Sequence, residues 1–209
     1  KICFVITSKI HYSRSRLVLE ELRKREQRER DVALQIVLAG SAVLLEYGDI
    51  EGLLLKDGFA VNARIAMAVQ GGTTTAMAKT TGLGIIEFSS VFDNLNPDIV
   101  VVRGDRYEVL SAAVAAAYMN KTIAHIEGGD VSGNIDESVR HAITKFAHIH
   151  FTTNEASRRR VLAAGEHPDY VFDVGASDVE FAALSQERIS AGDLSERGEG
   201  ASVALDAPF

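Results

Sequence analysis

Charged side chains cluster directly after several short apolar runs of the sequence. Lys9 follows the first run, Arg103–Arg106 close a later one, and Glu127 closes the next. A polar stretch, Asn134–His141, comes after that. Carboxyl groups can accept and donate protons, and the glycines among these residues would let a ligand approach the backbone. The pattern predicts a ligand site that carries acid–base groups, provided that the apolar runs end at one place.

The apolar runs alternate with helical patterns along most of the chain. The predicted strands are Lys1–Thr7, Val32–Ala39, Phe59–Met67, Ile99–Val102, Thr122–Ile126, Ile149–Thr152 and Tyr170–Val174. The predicted helices are Ser13–Glu29, Thr73–Leu95, Tyr107–Met119, Glu137–Ala147 and Glu155–Ala164. Strands that are apolar throughout and alternate with helices indicate an α/β fold with a doubly wound parallel sheet. Right-handed crossovers bring all the carboxyl ends of the strands to one edge, where such sheets bind ligands.

Two of the acidic residues also have a structural interpretation. Asp136 stands where the helix after the fifth strand begins, so it could be the N-cap of that helix. Arg140 lies one helical turn further on and could form a local ion pair with Asp136. Asp105 could likewise cap the alanine-rich helix that follows it. The residue types alone leave both interpretations open.

Glu127 is harder to explain as a structural residue. It ends a strand that is predicted to be buried, and a carboxylate there needs a partner. His125 lies two residues earlier on the same strand face and could supply that partner through a hydrogen bond. Gly128–Gly129 could form only a tight turn, or could give a ligand access to the backbone.

Composition and charge limit the classes of partner. The chain has 209 residues, of which 46% are hydrophobic and 24% charged, with a formal net charge of −7. These values are typical of a globular domain. The first 30 residues are basic, but most of those charges lie on one amphipathic helix, where a solvated face is expected. The acidic remainder would repel a phosphate backbone, so no nucleic acid partner is predicted.

Several kinds of site and location are not predicted. No apolar run reaches the length of about 20 residues that spans a membrane, and no secretory signal opens the chain. The single cysteine, Cys3, cannot form an internal disulfide, is expected to lie in the core, and fits a cytoplasmic protein. A dinucleotide fingerprint, a P-loop and a metal-ligand cluster are absent from the sequence, so no cofactor and no metal are predicted.

Three motifs resemble one enzyme family. They are TSKIHYS at Thr7–Ser13, RGDRYE at Arg103–Glu108 and HIEGGDVSGNIDESVRHAITK at His125–Lys145. Together they resemble the hydrolysing UDP-N-acetylglucosamine 2-epimerases of sialic acid biosynthesis and the similar bacillosamine-type 2-epimerases. The resemblance runs from the first strand to about Gly175. It implies the Rossmann-like N-terminal half of a glycosyltransferase-B type fold, with 1–184 as that domain and 185–209 as a linker and the start of a second domain.

The resemblance also assigns roles to residues by motif position. It implies three catalytic carboxylates, at Asp105, Glu127 and Asp136. It implies that Lys9, Ser13 and Arg106 bind the substrate. Arg140 and His141, which follow Asp136 at the predicted helix start, complete the predicted substrate-binding set. Lys9 stands where the family usually has arginine, so it keeps the positive charge but loses the bidentate geometry of a guanidinium.

The reaction implied by the resemblance converts UDP-GlcNAc and water to N-acetylmannosamine and UDP. UDP is eliminated to leave a glycal, and water then adds to it. The partners would be a UDP-sugar and further copies of the chain, as a homodimer or homotetramer, and this chain alone would be inactive. The alternatives are a UDP-N,N'-diacetylbacillosamine 2-epimerase, a non-hydrolysing epimerase, a glycosyltransferase of the same fold, or an isolated domain that binds without turnover.

Overall fold

A computed structural model of the chain describes residues 1–29 and 31–184. Seven strands form one sheet in the order β3-β2-β1-β4-β5-β6-β7, and every neighbouring pair is parallel. The strands are β1 (Ile2–Ile6), β2 (Leu34–Ala39), β3 (Ala63–Ile65), β4 (Ile99–Arg103), β5 (Thr122–Ile126), β6 (Ile149–Thr152) and β7 (Val171–Asp173). This arrangement confirms the predicted Rossmann-like fold.

Helices connect successive strands. They are α1 (Lys9–Arg28), α2 (Ile50–Lys56), α3 (Thr74–Leu95), α4 (Tyr107–Tyr118), α5 (Ile135–Phe146), α6 (Glu155–Ala163) and α7 (Ser177–Leu184). Short polar side chains cap the first turns of several of these helices by accepting a backbone N–H. These caps are Ser8 for α1, Asp49 for α2, Thr73 for α3, Asn134 for α5 and Asn154 for α6.

Alternate residues of each central strand pack on opposite faces of the sheet. In β1, Cys3 and Val5 belong to one core and Phe4 and Ile6 to the other. The first core also contains Phe88 and Phe92 of α3, Ala112 and Ala116 of α4 and Ile143 of α5, whereas the second contains Tyr12 and Leu19 of α1 and Ile50 and Leu54 of α2. Both faces are therefore covered, which explains why the strands lack polar alternation.

The strand order reverses between β1 and β4. From β1 the chain winds through β2 to β3, and it then returns to β4 and winds the other way. The connections that leave the carboxyl ends of β1 and β4 therefore diverge, and a crevice opens between them. This crevice receives the residues that directly follow both strands.

The structure corrects two predicted elements and, among the residues that it describes, contains two helices that were not predicted. Helix α1 begins at Lys9 rather than at Ser13, because Ser8 caps it. The predicted strand Phe59–Met67 is reduced to three residues at the sheet edge, and α2 was not predicted. Helix α7 was not predicted either. The remaining strands and helices lie within a few residues of their predicted bounds.

The chain divides into two units, Lys1–Asp178 and Val179–Phe209. The first contains the entire sheet, and the described part of the second is the end of α7. The predicted linker at 185–209 lies outside the described residues, so the predicted domain boundary stays a prediction. None of the helices in the described part of the chain is both long and apolar enough to cross a membrane.

Candidate active site

A cleft of about 910 Å³ lies at the carboxyl edge of the sheet, at the reversal of strand order. Its wall includes residues that follow the first five strands. They include Lys9 and His11 after β1, Tyr47 after β2, Gln70 after β3, Asp105 and Arg106 after β4, and Glu127 after β5. Arg140 of α5 completes this group. The predicted convergence of charged residues is thus present in one cleft.

Asp105 is partly buried in this cleft, and Arg140 donates to its Oδ2 atom. Burial raises the pKa of Asp105, and the nearby Asp136 and Glu127 raise it further, while Arg140 opposes them. The structure shows that Asp105 does not cap α4, because the N-cap of that helix is Arg106. Arg140 pairs with Asp105 and also donates to the Asp130 carbonyl, which rules against the alternative of a local ion pair with Asp136.

Glu127 has a backbone conformation that is rare for a residue with a side chain. Its φ angle is +70°, in the left-handed region. Arg103 Nη2 donates to Glu127 Oε1 at 2.6 Å, and Arg14 Nη1 lies 3.6 Å from the same oxygen. The alternative of a pair with His125 does not hold, because the His125 ring contacts Thr144 and Gly104. Two arginines thus hold the side chain of a residue whose backbone conformation is uncommon.

Asp136 lies in the first turn of α5 and is partly buried. The N-cap of α5 is Asn134, whose side chain accepts a hydrogen bond from the Asp136 N–H at 3.0 Å. The capping interpretation of Asp136 was therefore wrong. The charge of Asp136 contributes to the raised pKa of Asp105, although Asp136 does not belong to the cleft wall.

The predicted substrate-binding residues divide into two groups. Lys9, Arg106 and Arg140 belong to the cleft wall. Ser13 and His141 are exposed and do not belong to it. The Ser13 hydroxyl donates to the Lys9 carbonyl at 3.0 Å, within α1. The roles of these five residues remain predictions.

Two residues to which no prediction gave a role in the site also shape the cleft, namely Arg103, which was expected at this edge, and His11, which was not. Arg103 is 1% exposed and donates to the Arg14 carbonyl as well as to Glu127. His11 is buried beside Thr7, whose hydroxyl lies 2.9 Å from His11 Nδ1. Burial lowers the pKa of His11 to about 4, and the charges of Arg103, Arg106 and Arg14 lower it in the same direction. A neutral imidazole therefore lies among cationic groups.

The Gly128–Gly129 turn is a packing feature. Gly129 has a φ angle of +83°, and a Cβ atom there would collide with the Ser157 carbonyl. Cys3 is a core residue, as predicted, and burial raises its pKa to about 12. Within residues 1–29 and 31–184, no three His, Cys, Asp or Glu side chains come together in a way that could hold a metal ion.

The cleft thus combines carboxylates in different environments with several cations on a Rossmann-like sheet. Residues 24–203 match the UDP-N-acetylglucosamine 2-epimerase family. The chain belongs to this family. The match extends over the motifs that carry Asp105, Glu127 and Asp136.

Two relatives from this epimerase family are similar over most of the chain. The UDP-N,N'-diacetylbacillosamine 2-epimerase (hydrolyzing) of Legionella pneumophila is 36% identical over 86% of the chain and 47% of its own length. The GDP/UDP-N,N'-diacetylbacillosamine 2-epimerase (hydrolyzing) of Campylobacter jejuni is 33% identical over 84% of the chain and 45% of its own length. The chain therefore spans about half the length of these relatives.

A solved epimerase structure has the same fold. The UDP-GlcNAc 2-epimerase of Neisseria meningitidis, solved with UDP-GlcNAc bound, superposes with a TM-score of 0.75 at 20% identity. The match covers 88% of this chain and 49% of the Neisseria chain.

Proposed function

We propose that this chain is part of a longer hydrolysing 2-epimerase that acts on a UDP-linked 2-acetamido sugar. In its simplest form, UDP-GlcNAc and water would give N-acetylmannosamine and UDP. Family membership supports the epimerase class, and the names of the two bacillosamine relatives support the hydrolysing type. Because the chain spans about half of those relatives, residues beyond this chain would complete the site.

The proposed reaction needs groups that move protons and groups that stabilise a leaving anion. In the elimination, a base takes the proton from C2, the electron pair of that bond forms the C1–C2 double bond, and the diphosphate oxygen leaves C1 with its bonding pair. Water then adds its oxygen to C1, and a proton returns to C2 on the other face. Inversion at C2 follows from the change of face.

The observation that carries the proposal is the unequal environment of two carboxyl groups in one cleft. Asp105 has a raised pKa because burial and the neighbouring carboxylates outweigh its ion pair with Arg140, so it is suited to hold and release a proton. Glu127 instead lies between the guanidinium groups of Arg103 and Arg14. Carboxyl groups with divergent environments are typical of sites that need both an acid and a base.

The cations of the cleft would bind the diphosphate. Lys9 is the first residue of α1, whose N-terminus carries the partial positive charge of the helix dipole. Arg106 precedes α4, and its side chain is held by Glu108 at 3.3 Å. Positive groups at the diphosphate would stabilise the charge that develops on it as it leaves.

UDP-N,N'-diacetylbacillosamine is a second candidate substrate. Both bacillosamine relatives are similar over more than four fifths of the chain and are named for this sugar. Both candidate sugars carry the acetamido group at C2, so the same carboxylates would serve either one. The choice between them depends on groups that contact C4 and C6 of the sugar.

The proposal is tested by UDP release from each sugar nucleotide by the full-length protein that carries this chain. We expect release with at least one substrate, and a loss of about 100-fold or more in Asp105→Asn, because an amide cannot exchange the proton. Asp93→Asn, an exposed change on α3, is the matched control and should keep wild-type turnover. The 209-residue chain alone should release no UDP. Wild-type protein that releases UDP from neither substrate would refute the proposal.

A further inference from the structure

His125 connects three elements beneath the candidate active site. It lies in β5, and its side chain is fully buried. Its Nε2 atom lies 2.8 Å from the Gly104 carbonyl oxygen, and its Nδ1 atom lies 3.1 Å from the Thr144 hydroxyl of α5. The side chain therefore joins β5 and α5 to the loop that follows β4.

These contacts determine the tautomer of His125. A carbonyl oxygen can only accept a hydrogen bond, so Nε2 must carry the proton and donate it to Gly104. Nδ1 is then an acceptor for the Thr144 hydroxyl. Burial lowers the pKa of His125 to about 4; His150 and Arg140 lower it as well, whereas the Gly104 carbonyl and Asp130 oppose them. His125 is thus neutral near pH 7 and is not suited to exchange protons with a substrate.

Gly104 begins the loop that carries Asp105 and Arg106. Its φ angle is +81°, and its N–H donates to the Ile126 carbonyl at 3.0 Å. A Cβ atom at Gly104 would lie 3.3 Å from His11 Nε2, so the loop passes close to the cleft wall. With its N–H on Ile126 and its carbonyl on His125, the Gly104 backbone is held from both sides.

Helix α5 acts on this loop at two points. Thr144 contacts Gly104 through His125, and Arg140, one turn earlier on the same helix, donates to Asp105. Gly128 leaves room for this connection, because a Cβ atom there would lie 3.1 Å from the Thr144 hydroxyl oxygen and 3.2 Å from His125 Nδ1. Helix α5 therefore holds the loop in place in two ways, through the ion pair between Arg140 and Asp105 and through the neutral imidazole of His125.

We propose that His125 is a positioning residue of the epimerase, which fixes Asp105 and Arg106 through the Gly104 carbonyl. This inference rests on the proposed function for its kinetic consequences, but the loop geometry can be tested without turnover. Misplacing a reacting group by about 1 Å can cost about 100-fold in rate. Loss of the Gly104 contact should therefore lower kcat more than it raises KM.

Two substitutions distinguish the roles of the two nitrogen atoms of His125. By bond count from Cβ, the amide nitrogen of glutamine corresponds to Nε2, and the side-chain amide of asparagine reaches only as far as Nδ1. His125→Gln should keep the donor to Gly104, and His125→Asn should lose it. We expect kcat to fall about tenfold or more in His125→Asn and several-fold less in His125→Gln. Equal losses in two folded variants would overturn the proposal.

A second measurement does not depend on the proposed reaction. Carbon-13 NMR titration measures the pKa of the Asp105 carboxyl group. That pKa depends on the distances from the carboxyl group to Arg140, Asp136 and Glu127. We expect a shifted Asp105 pKa in His125→Asn and the wild-type value in His125→Gln. If the Asp105 pKa is unchanged in folded His125→Asn, the proposal is overturned, even when the wild-type protein is an active epimerase. If wild-type protein releases no UDP, the proposed function fails, but this titration still decides the role of His125.

Threonine substitutions keep the proposal testable if His125→Asn does not fold. Thr144→Val removes the donor to Nδ1, and Thr152→Val is the matched control. Thr152 is equally buried, but its hydroxyl donates to the Phe172 carbonyl at 3.3 Å, away from the loop. We expect the Asp105 pKa to shift in Thr144→Val and to stay at the wild-type value in Thr152→Val. Equal values in the two variants would contradict the positioning role.

Discussion

Arg103 Nη2 donates to Glu127 Oε1 at 2.6 Å, and the two side chains are 1% and 13% exposed. Glu127 also has a φ angle of +70°. Arg103 is held in turn by the Arg14 carbonyl at 2.6 Å and by the Ser177 hydroxyl at 3.1 Å. A nearly buried guanidinium thus fixes one carboxylate of the cleft at a strained point of the backbone.

Glu127→Gln should destabilise the fold as well as the site. It leaves the buried Arg103 guanidinium without its closest counter-charge, and breaking such a pair costs about 3 kcal/mol or more in the free energy of unfolding. Urea denaturation measures this change. Glu155→Gln is the control, since Glu155 is half-exposed and pairs with Arg158 and Arg159. That change should cost about 1 kcal/mol or less. Equal losses would show that the Arg103 pair is no stronger than a surface pair.

Asp105→Asn should raise stability at neutral pH. The folded protein raises the pKa of Asp105, so folding favours the protonated form, and wild-type stability falls as the pH rises through the folded-state pKa. Asparagine resembles the protonated carboxyl group. The melting temperatures of the variant and the wild type should therefore agree well below pH ~4, and the variant should melt higher at pH 7. A lower melting temperature at pH 7 would mean that the ion pair with Arg140 outweighs burial.

Substitution of Asn134 should lower stability, whereas substitution of Asp136 should lower the rate of the reaction. Asn134→Ala removes the N-cap of α5 and should lower the free energy of unfolding by about 1 kcal/mol. Asp136→Asn keeps the cap and should melt within a few degrees of wild type, yet lose about 100-fold in kcat if Asp136 moves a proton. Thermal melting and UDP release, measured on both variants, distinguish the capping role from the proton-transfer role. Near-normal turnover in Asp136→Asn would remove Asp136 from the site.

Lys9→Arg should tighten UDP binding modestly. Lys9 is exposed in the cleft wall, and a guanidinium can contact a phosphate with two hydrogen bonds where an ammonium acts as a point charge. We expect a gain of about 1 kcal/mol or less by calorimetry with the full-length protein. Lys56→Arg, at the exposed end of α2, should leave the affinity unchanged. Unchanged or weaker binding in Lys9→Arg would argue against a phosphate contact.

Sequence patterns predicted the central strands because those strands are buried on both faces. The continuous β-branched run at Ile99–Val102 matches β4 almost residue for residue. The alternation at Phe59–Met67 was misleading, since only Ala63–Ile65 pairs with β2. Helix α2 has seven residues and contains Gly52, so its pattern is too short to show a helical period.

The partners of the charged residues could not be predicted in the same way. Asp105 and Arg140 are 35 positions apart, and Arg103 and Glu127 are 24 apart. Local spacing suggested only Asp136 with Arg140 and His125 with Glu127 as possible pairs, because a sequence pattern compares residues that are close along the chain. The parallel register of β4 and β5 brings Arg103 beside Glu127, and the packing of α5 brings Arg140 to Asp105.

The central claim is that this cleft serves a hydrolysing 2-epimerase, and proton NMR of the reaction in D₂O tests it most directly. The full-length protein is incubated with UDP-GlcNAc and, separately, with UDP-N,N'-diacetylbacillosamine. Elimination removes the C2 hydrogen and hydration replaces it from solvent, so we predict free UDP and a free 2-epimeric sugar that carries deuterium at C2. An epimer that remains attached to UDP, or a released sugar that keeps its hydrogen at C2, would contradict the account.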